Sequence, residues 1–226
     1  MCIRDREIQF PKICPFDEKG SLELSQAEGE AAWRCPNCTC GKQTVQKIIF
    51  HVSKDAMDID GFGKSYVERF FDLGWVKDIA DIYKLDYNAI SKLEGFGSKS
   101  ADKLESAINK AKENTLARLL YSLSIHHLGK KASKILAEHI SSVYDLQSWT
   151  LEDFTAIKDI GPVVANNVID FYSREENIAL LQKLESFGVN VHQTAKDKPS
   201  EVAEDCLLHA STSRRDRTRS RMPSSA

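Results

Sequence analysis

The chain has 226 residues, of which 42% are hydrophobic and 28% charged, enough for one or two domains with real cores and ordinary for a soluble globular protein. A net charge of -2 excludes a globally basic polyanion binder, so any grip on phosphate must come from local patches and oriented backbone amides. No apolar run approaches the length of a membrane span, and the N-terminus lacks the apolar stretch of a secretory signal, so no membrane partner is expected.

Residues 1–10 show no periodicity and read as foreign residues or as the end of a preceding domain. Residues 11–43 form a small cysteine-containing unit with little helical pattern. Six cysteines, four of them between positions 14 and 40, do not make a disulfide framework in a chain of this size; clustered in this way they point to metal. The candidate zinc ligands are Cys14, Cys35, Cys38 and Cys40. The run Cys35-Pro36-Asn37-Cys38-Thr39-Cys40 is generous, whereas Cys14-Pro15-Phe16-Asp17 carries an aspartate where a second cysteine would complete a knuckle. Three readings follow: three cysteines with Asp17, four cysteines with Cys38 as the fourth ligand, or an empty site. Thiolate suits zinc better than a lone carboxylate, so the four-cysteine set is preferred. Cys2 and Cys206 are assigned no role.

From residue 44 to 187 the pattern is helical almost throughout. Val45, Ile48, Ile49 and Val52 share one face, as do Tyr66, Val67, Phe70 and Phe71. Ala101, Leu104, Ala107, Ile108 and Ala111 line another, then Leu116, Leu119, Leu120 and Leu123. Ile135, Leu136, His139 and Ile140 follow, and then Val164, Val168, Ile169 and Tyr172. These stripes are core packing. Thr150 with Asp153 reads as an acidic capping box opening a helix. No strand alternation of useful length occurs here. After Asn190 the pattern stops, and residues 194–226 read as a disordered, solvated tail despite the run Arg214, Arg215, Arg217, Arg219 and Arg221.

One short pattern returns four times between these helices: Ile59-Asp60-Gly61-Phe62-Gly63, Leu93-Glu94-Gly95-Phe96-Gly97, Ile125-His126-His127-Leu128-Gly129 and Ile157-Lys158-Asp159-Ile160-Gly161. Their last glycines stand 34, 32 and 32 residues apart, the mark of a repeat array. Glycine permits a tight turn and a close approach of backbone to ligand. The helix that starts immediately afterwards aims its free N–H groups and dipole outward, where a phosphate fits. Lys64, Lys99, and Lys130 with Lys131 follow three of the turns, and Pro162 follows the fourth. One such copy would most simply be a helix end; four favour an element that grips nucleic-acid backbone without reading bases. The expected contacts are Gly61, Gly63, Lys64, Gly95, Gly97, Lys99, Gly129, Lys130 and Gly161. The third copy lacks the first glycine and the fourth has Asp159 there, so both are expected to be weaker and partly structural, with the third contributing least. The expected fold class is mainly α: a small zinc-finger unit followed by a helical domain of four helix-hairpin-helix motifs.

In this order of elements, and in phrases such as Ile8-Gln9-Phe10-Pro11-Lys12-Ile13-Cys14-Pro15, Ala56-Met57-Asp58-Ile59-Asp60-Gly61, Thr115-Leu116-Ala117-Arg118-Leu119-Leu120-Tyr121 and Asp159-Ile160-Gly161-Pro162-Val163-Val164-Ala165, residues 8 to 193 resemble the C-terminal half of bacterial NAD-dependent DNA ligases. The resemblance implies that residues 1–10 end the preceding barrel domain or are an artefact, that 11–43 are the zinc finger, that 44–193 are the helix-hairpin-helix DNA-binding domain, and that the BRCT domain is missing after 194. It places Cys14, Cys35 and Cys40 on three zinc-ligand positions and Asp17 on the fourth, where Cys38 would compensate. It implies a bacterial, cytoplasmic, monomeric partner of nicked double-stranded DNA, serving an enzyme that seals nicks in replication and repair. NAD and Mg are expected only for the missing catalytic part. The family's Lys-x-Asp-Gly nucleophile motif is absent, and Lys158-Asp159-Ile160-Gly161 has the wrong order, so no catalytic residue is expected in this chain. Two alternatives stand beside this reading: a stand-alone helix-hairpin-helix DNA-binding protein, and a protein-interaction scaffold in which the hairpins merely connect helices.

Overall fold

The computed structural model describes residues 12–14, 23–26, 33–35, 41–195 and 197. In the cysteine unit, Ser25–Gln26 (β1) and Trp33–Arg34 (β2) pair antiparallel, with Gln26 opposite Trp33, and Ile13 bridges Glu23. Nine α-helices follow among the described residues: α1 (Gly41–Val52), α2 (Lys64–Asp72), α3 (Tyr87–Ser91), α4 (Ser98–Lys112), α5 (Leu116–Ser122), α6 (Lys130–His139), α7 (Leu151–Ala156), α8 (Pro162–Ser173) and α9 (Glu175–Ser186). None is long and apolar enough to cross a membrane. The mainly helical fold class expected from the periodicity is the one observed.

The helices begin where local chemistry favours it. Asp86 caps α3 by accepting from the N–H groups of Asn88 and Ala89. Thr115 caps α5 through Arg118 N–H. The Thr150–Asp153 capping box opens α7 as expected. Such caps each contribute about 1 kcal/mol.

The apolar stripes converge on one continuous core. Phe70, Leu104, Ile108, Leu116, Leu119, Leu120, Leu136 and Phe154 are essentially inaccessible, and burying each stabilises the fold by roughly 1.5–3 kcal/mol. Aromatic contacts tie the first two hairpins together: Tyr66 lies 4.5 Å from Phe96, and Phe70 lies 5.4 Å from Phe62 and 5.8 Å from Phe96. His139 departs from the expected stripe. It is exposed at the end of α6, with its Nδ1 2.8 Å from the Ile135 carbonyl, so a titratable residue at apolar spacing faces water here.

Three polar clamps join distant segments. Arg118 donates to the carbonyls of Ala56 (2.6 Å) and Lys54 (2.7 Å), and Asn114 donates to that of Met57 (2.7 Å), fixing the entry to the first hairpin onto α5. His51 is fully buried with its Nε2 2.8 Å from the Tyr83 hydroxyl, and burial pushes its imidazole down to about 4. Asp197, only 2% exposed, accepts from the N–H groups of Leu116, Ala117 and Thr194 and from the Thr194 hydroxyl. The expected tail boundary at 194 is therefore too early: the chain is still packed on the domain at Asp197. Burial raises this carboxyl, but the hydrogen bonds from Thr194, Ala117 and Leu116 outweigh it and hold it below the usual carboxylate range.

Candidate nucleic-acid interface

All four hairpins have one backbone shape. In each, the N–H of the residue before the last glycine donates to the carbonyl three residues earlier: Phe62 to Ile59 (3.3 Å), Phe96 to Leu93 (2.9 Å), Leu128 to Ile125 (3.1 Å) and Ile160 to Ile157 (3.2 Å). Those four apolar side chains are pinned to the core, Phe96 less deeply than the rest. Between them and the start of each turn stands one residue with positive φ: Gly61 (+80°), Gly95 (+87°), His127 (+60°) and Asp159 (+73°). The loss of glycine in the third and fourth copies thus does not change the turn. Aspartate and histidine are among the side chains that tolerate the left-handed region, at a cost of about 1 kcal/mol.

The last glycine of each copy behaves differently. Gly63, Gly97, Gly129 and Gly161 have φ of -77°, -117°, -81° and -89°, ordinary extended backbone open to any residue. A Cβ added at any of them would meet nothing within 4 Å. Neither backbone strain nor packing inside the chain calls for glycine there. Each is the N-cap of its helix, and none of the four helices has a side-chain cap, in contrast to α3, α5 and α7. The helices then start by backbone bonds alone, Val67, Ala101, Ser133 and Ala165 donating to the four glycine carbonyls at 2.9–3.1 Å. Among the described residues, the first-turn N–H groups are left uncovered by side chains at four corresponding places, although Pro162 at the start of α8 has no N–H of its own to offer; this is the arrangement of an anion site.

The cations around these turns are less free than the sequence suggests. Lys64 pairs with Glu68 on its own helix (3.8 Å), Lys130 with Asp55 (3.6 Å) and Lys131 with Asp159 (2.9 Å). Lys99 has no carboxylate within 4.0 Å among the described residues. The Lys131 hydrogen bond, and then its charge, hold the Asp159 carboxyl below the usual range. Arg69 on α2 donates to the Glu94 carbonyl at 2.8 Å, so the helix after the first hairpin steadies the turn of the second. Asp55, Arg69 and Asp159 were not singled out as partners of the turns by sequence reasoning. Their spacing from the lysines is irregular, and only the fold brings them together. The His126 and His127 rings lie 3.8 Å apart beside the third turn.

Of the expected zinc ligands, Cys14 is buried, and Cys35 is partly buried with its carbonyl accepting from Gln43 Nε2 (3.0 Å). Cys38, Cys40 and Asp17 lie outside the described residues. Among the described residues there is no group of three or more His, Cys, Asp or Glu arranged to hold a metal.

Residues 53–110 match the family described as a SAM-like helix-hairpin-helix tandem, and residues 118–181 match the helix-hairpin-helix motif family. The chain is 44% identical over 202 residues to a DNA ligase of Persephonella marina, a match that covers 89% of this chain and 27% of the ligase. It is 39% identical over 199 residues to a DNA ligase of Sulfurihydrogenibium azorense (88% and 28%), and 37% identical over 201 residues to one of Thermoanaerobacter sp. strain X514 (89% and 30%). The chain spans less than a third of the length of these relatives, and along nearly nine-tenths of its own length it is similar to one section of them.

Proposed function

We propose that this chain, akin along most of its length to one section of DNA ligases, is the part that grips duplex DNA while other parts of the whole protein perform ligation. The observation that carries the reading is the set of four capping glycines with ordinary φ, open space at Cβ and no side-chain cap. Their bareness serves something that approaches from outside. A phosphate oxygen seated on the first-turn amides of α2, α4, α6 and α8 completes the helix ends, with Lys64, Lys99, Lys130 and Lys131 adding charge. Contacts of this kind position a protein on the backbone and carry no sequence information. Within that reading, the amides of Gly63, Gly97, Gly129 and Gly161 turns bind, and the positive-φ residues Gly61, Gly95, His127 and Asp159 aim them.

The chemistry of sealing a nick lies outside this chain, which has no Lys-x-Asp-Gly motif; NAD and Mg belong with that absent part. The substrate proposed is a nicked duplex, the state a monomer, and the compartment the bacterial cytoplasm. Cys14, Cys35, Cys38 and Cys40 are the proposed ligands of a structural zinc: four soft thiols are its preferred donor set, and Cys14 is 5% exposed, as a closed site requires. Zinc bound there would tie the strands of the cysteine unit together.

The test is binding of the chain to a nicked duplex, followed by fluorescence anisotropy over a salt series, beside a Gly63→Asp/Gly97→Asp variant. Both glycines have negative φ, so aspartate enters without strain, and circular dichroism checks the fold. Steep salt dependence in the wild type and weak binding by the folded variant support the grip. If both are folded and neither binds, the hairpins are scaffolding.

A further inference from the structure

Among the described residues, the third hairpin is the only one whose cations are held by carboxylates from elsewhere in the chain. Lys130 Nζ lies 3.6 Å from Asp55, in the segment between α1 and the first hairpin, and Lys131 Nζ lies 2.9 Å from Asp159, in the turn of the fourth. By contrast, the Lys64 partner Glu68 sits one turn along the same helix. Both cross-chain pairs are open to water, with side chains 72% and 75% exposed in the first and 79% and 48% in the second. Ion pairs in such surroundings are weak, so another anion displaces either partner at little cost. Asp159 also holds the positive-φ position two residues before the capping glycine Gly161. A carboxylate there stands at the rim of an uncapped helix start and repels a phosphate unless a cation accompanies it.

We infer that Asp55 and Asp159 are stand-ins for DNA phosphates at the third hairpin: each holds a lysine that a phosphate takes over when duplex arrives, and together they limit how tightly that hairpin binds. The inference rests on the DNA-gripping reading above. It assigns the two carboxylates a role in setting affinity, and it accounts for how Lys130 and Lys131 are kept neutralised when no duplex is present. A carboxylate that yields its lysine to phosphate differs in kind from a strut that keeps it. In the first case the lysine counts among the phosphate contacts; in the second it does not.

Anisotropy titrations of the chain with nicked duplex, over a salt series, separate the two. Three variants stand beside the wild type: D55N/D159N, K130Q/K131Q and the four-fold combination, each checked for fold by circular dichroism and thermal melting. Asparagine matches aspartate in shape and tolerates positive φ, so D159N preserves the turn. The expected result is that D55N/D159N binds about two- to twenty-fold tighter with the salt slope of the wild type. K130Q/K131Q should bind more weakly, its slope smaller in magnitude by about 1.8, two phosphate contacts fewer. The four-fold variant should keep that reduced slope. Wild-type slope in K130Q/K131Q, or D55N/D159N binding no tighter than wild type, makes the pairs struts and overturns the inference while leaving the DNA-gripping reading intact. If the folded wild type does not bind duplex at all, that reading fails and the inference falls with it.

Discussion

The carboxylate of Asp197 accepts the backbone N–H of Leu116 at 3.1 Å, across 81 residues of sequence, and that of Ala117 at the same distance. A residue near the end of the described chain thus completes the start of a helix in the middle of the fold. Asn190 and Gln193 act alongside it, donating to the carbonyls of Asn114 and Ala137.

Replacing Asp197 with alanine leaves the N–H groups of Leu116 and Ala117 without their acceptor in a buried place. The expected loss is about 2–3 kcal/mol, the sum of a lost cap and a desolvated donor, read as a lower midpoint in urea unfolding. Because hydrogen bonds hold this carboxyl below its ordinary value, its contribution is present above the usual carboxylate range and fades as pH falls through the folded-state value. An alanine variant as stable as the wild type at pH 7 would remove the role assigned here.

His51 supplies a second pH dependence, in a different window. Its imidazole ionises near the ordinary 6.5 when unfolded and near 4 when folded. Between those values the unfolded chain binds the extra proton, so stability is full above about pH 6.5 and declines as pH falls toward 4, by about 3 kcal/mol in all. Unfolding free energies at pH 7 and pH 4.5 for wild type and His51→Gln give the comparison. The wild type should lose more on acidification than the variant; equal losses would mean that His51 is not the group responsible.

The two glycines of one hairpin should respond differently to substitution. Gly95→Ala forces a side chain into φ +87° and should cost about 1 kcal/mol or more. Gly97→Ala lies at φ -117° with open space at Cβ and should leave the melting temperature within a degree or two. Aspartate at 97 caps the helix itself and should stabilise it by up to about 1 kcal/mol while occupying the first-turn amides of α4. Thermal melts of the three variants rank them. A Gly97→Ala variant as damaged as Gly95→Ala would contradict the division of labour between the two positions.

Much of the helical frame was legible because it is written in local period. Leu116, Leu119, Leu120 and Leu123 are all buried as their spacing required, and Thr150 with Asp153 forms its capping box. His139 misled because period alone does not say on which edge of a stripe a polar residue lies. The geometry of the third and fourth turns is not legible from glycine alone, because His127 and Asp159 carry the same positive φ as Gly61 and Gly95. Asp197 and the partners of Lys130 and Lys131 were out of reach: these contacts cross long stretches of chain, and no spacing rule links residue 55 to residue 130. Only half of the cysteine set, Cys14 and Cys35, falls among the described residues.

Four copies of one turn in a single chain amount to a substitution experiment already performed. The aiming position has been filled by Gly61, Gly95, His127 and Asp159 with its geometry unchanged, whereas the capping position holds glycine every time. A search pattern written as Gly-x-Gly would find two of these hairpins and miss the other two. One written around a single glycine, an apolar residue just before it and a helix just after it would find all four. The more tolerant position is also the one where side chains can accumulate, so diversity among such hairpins is expected to collect there, in the turn and not at the helix start.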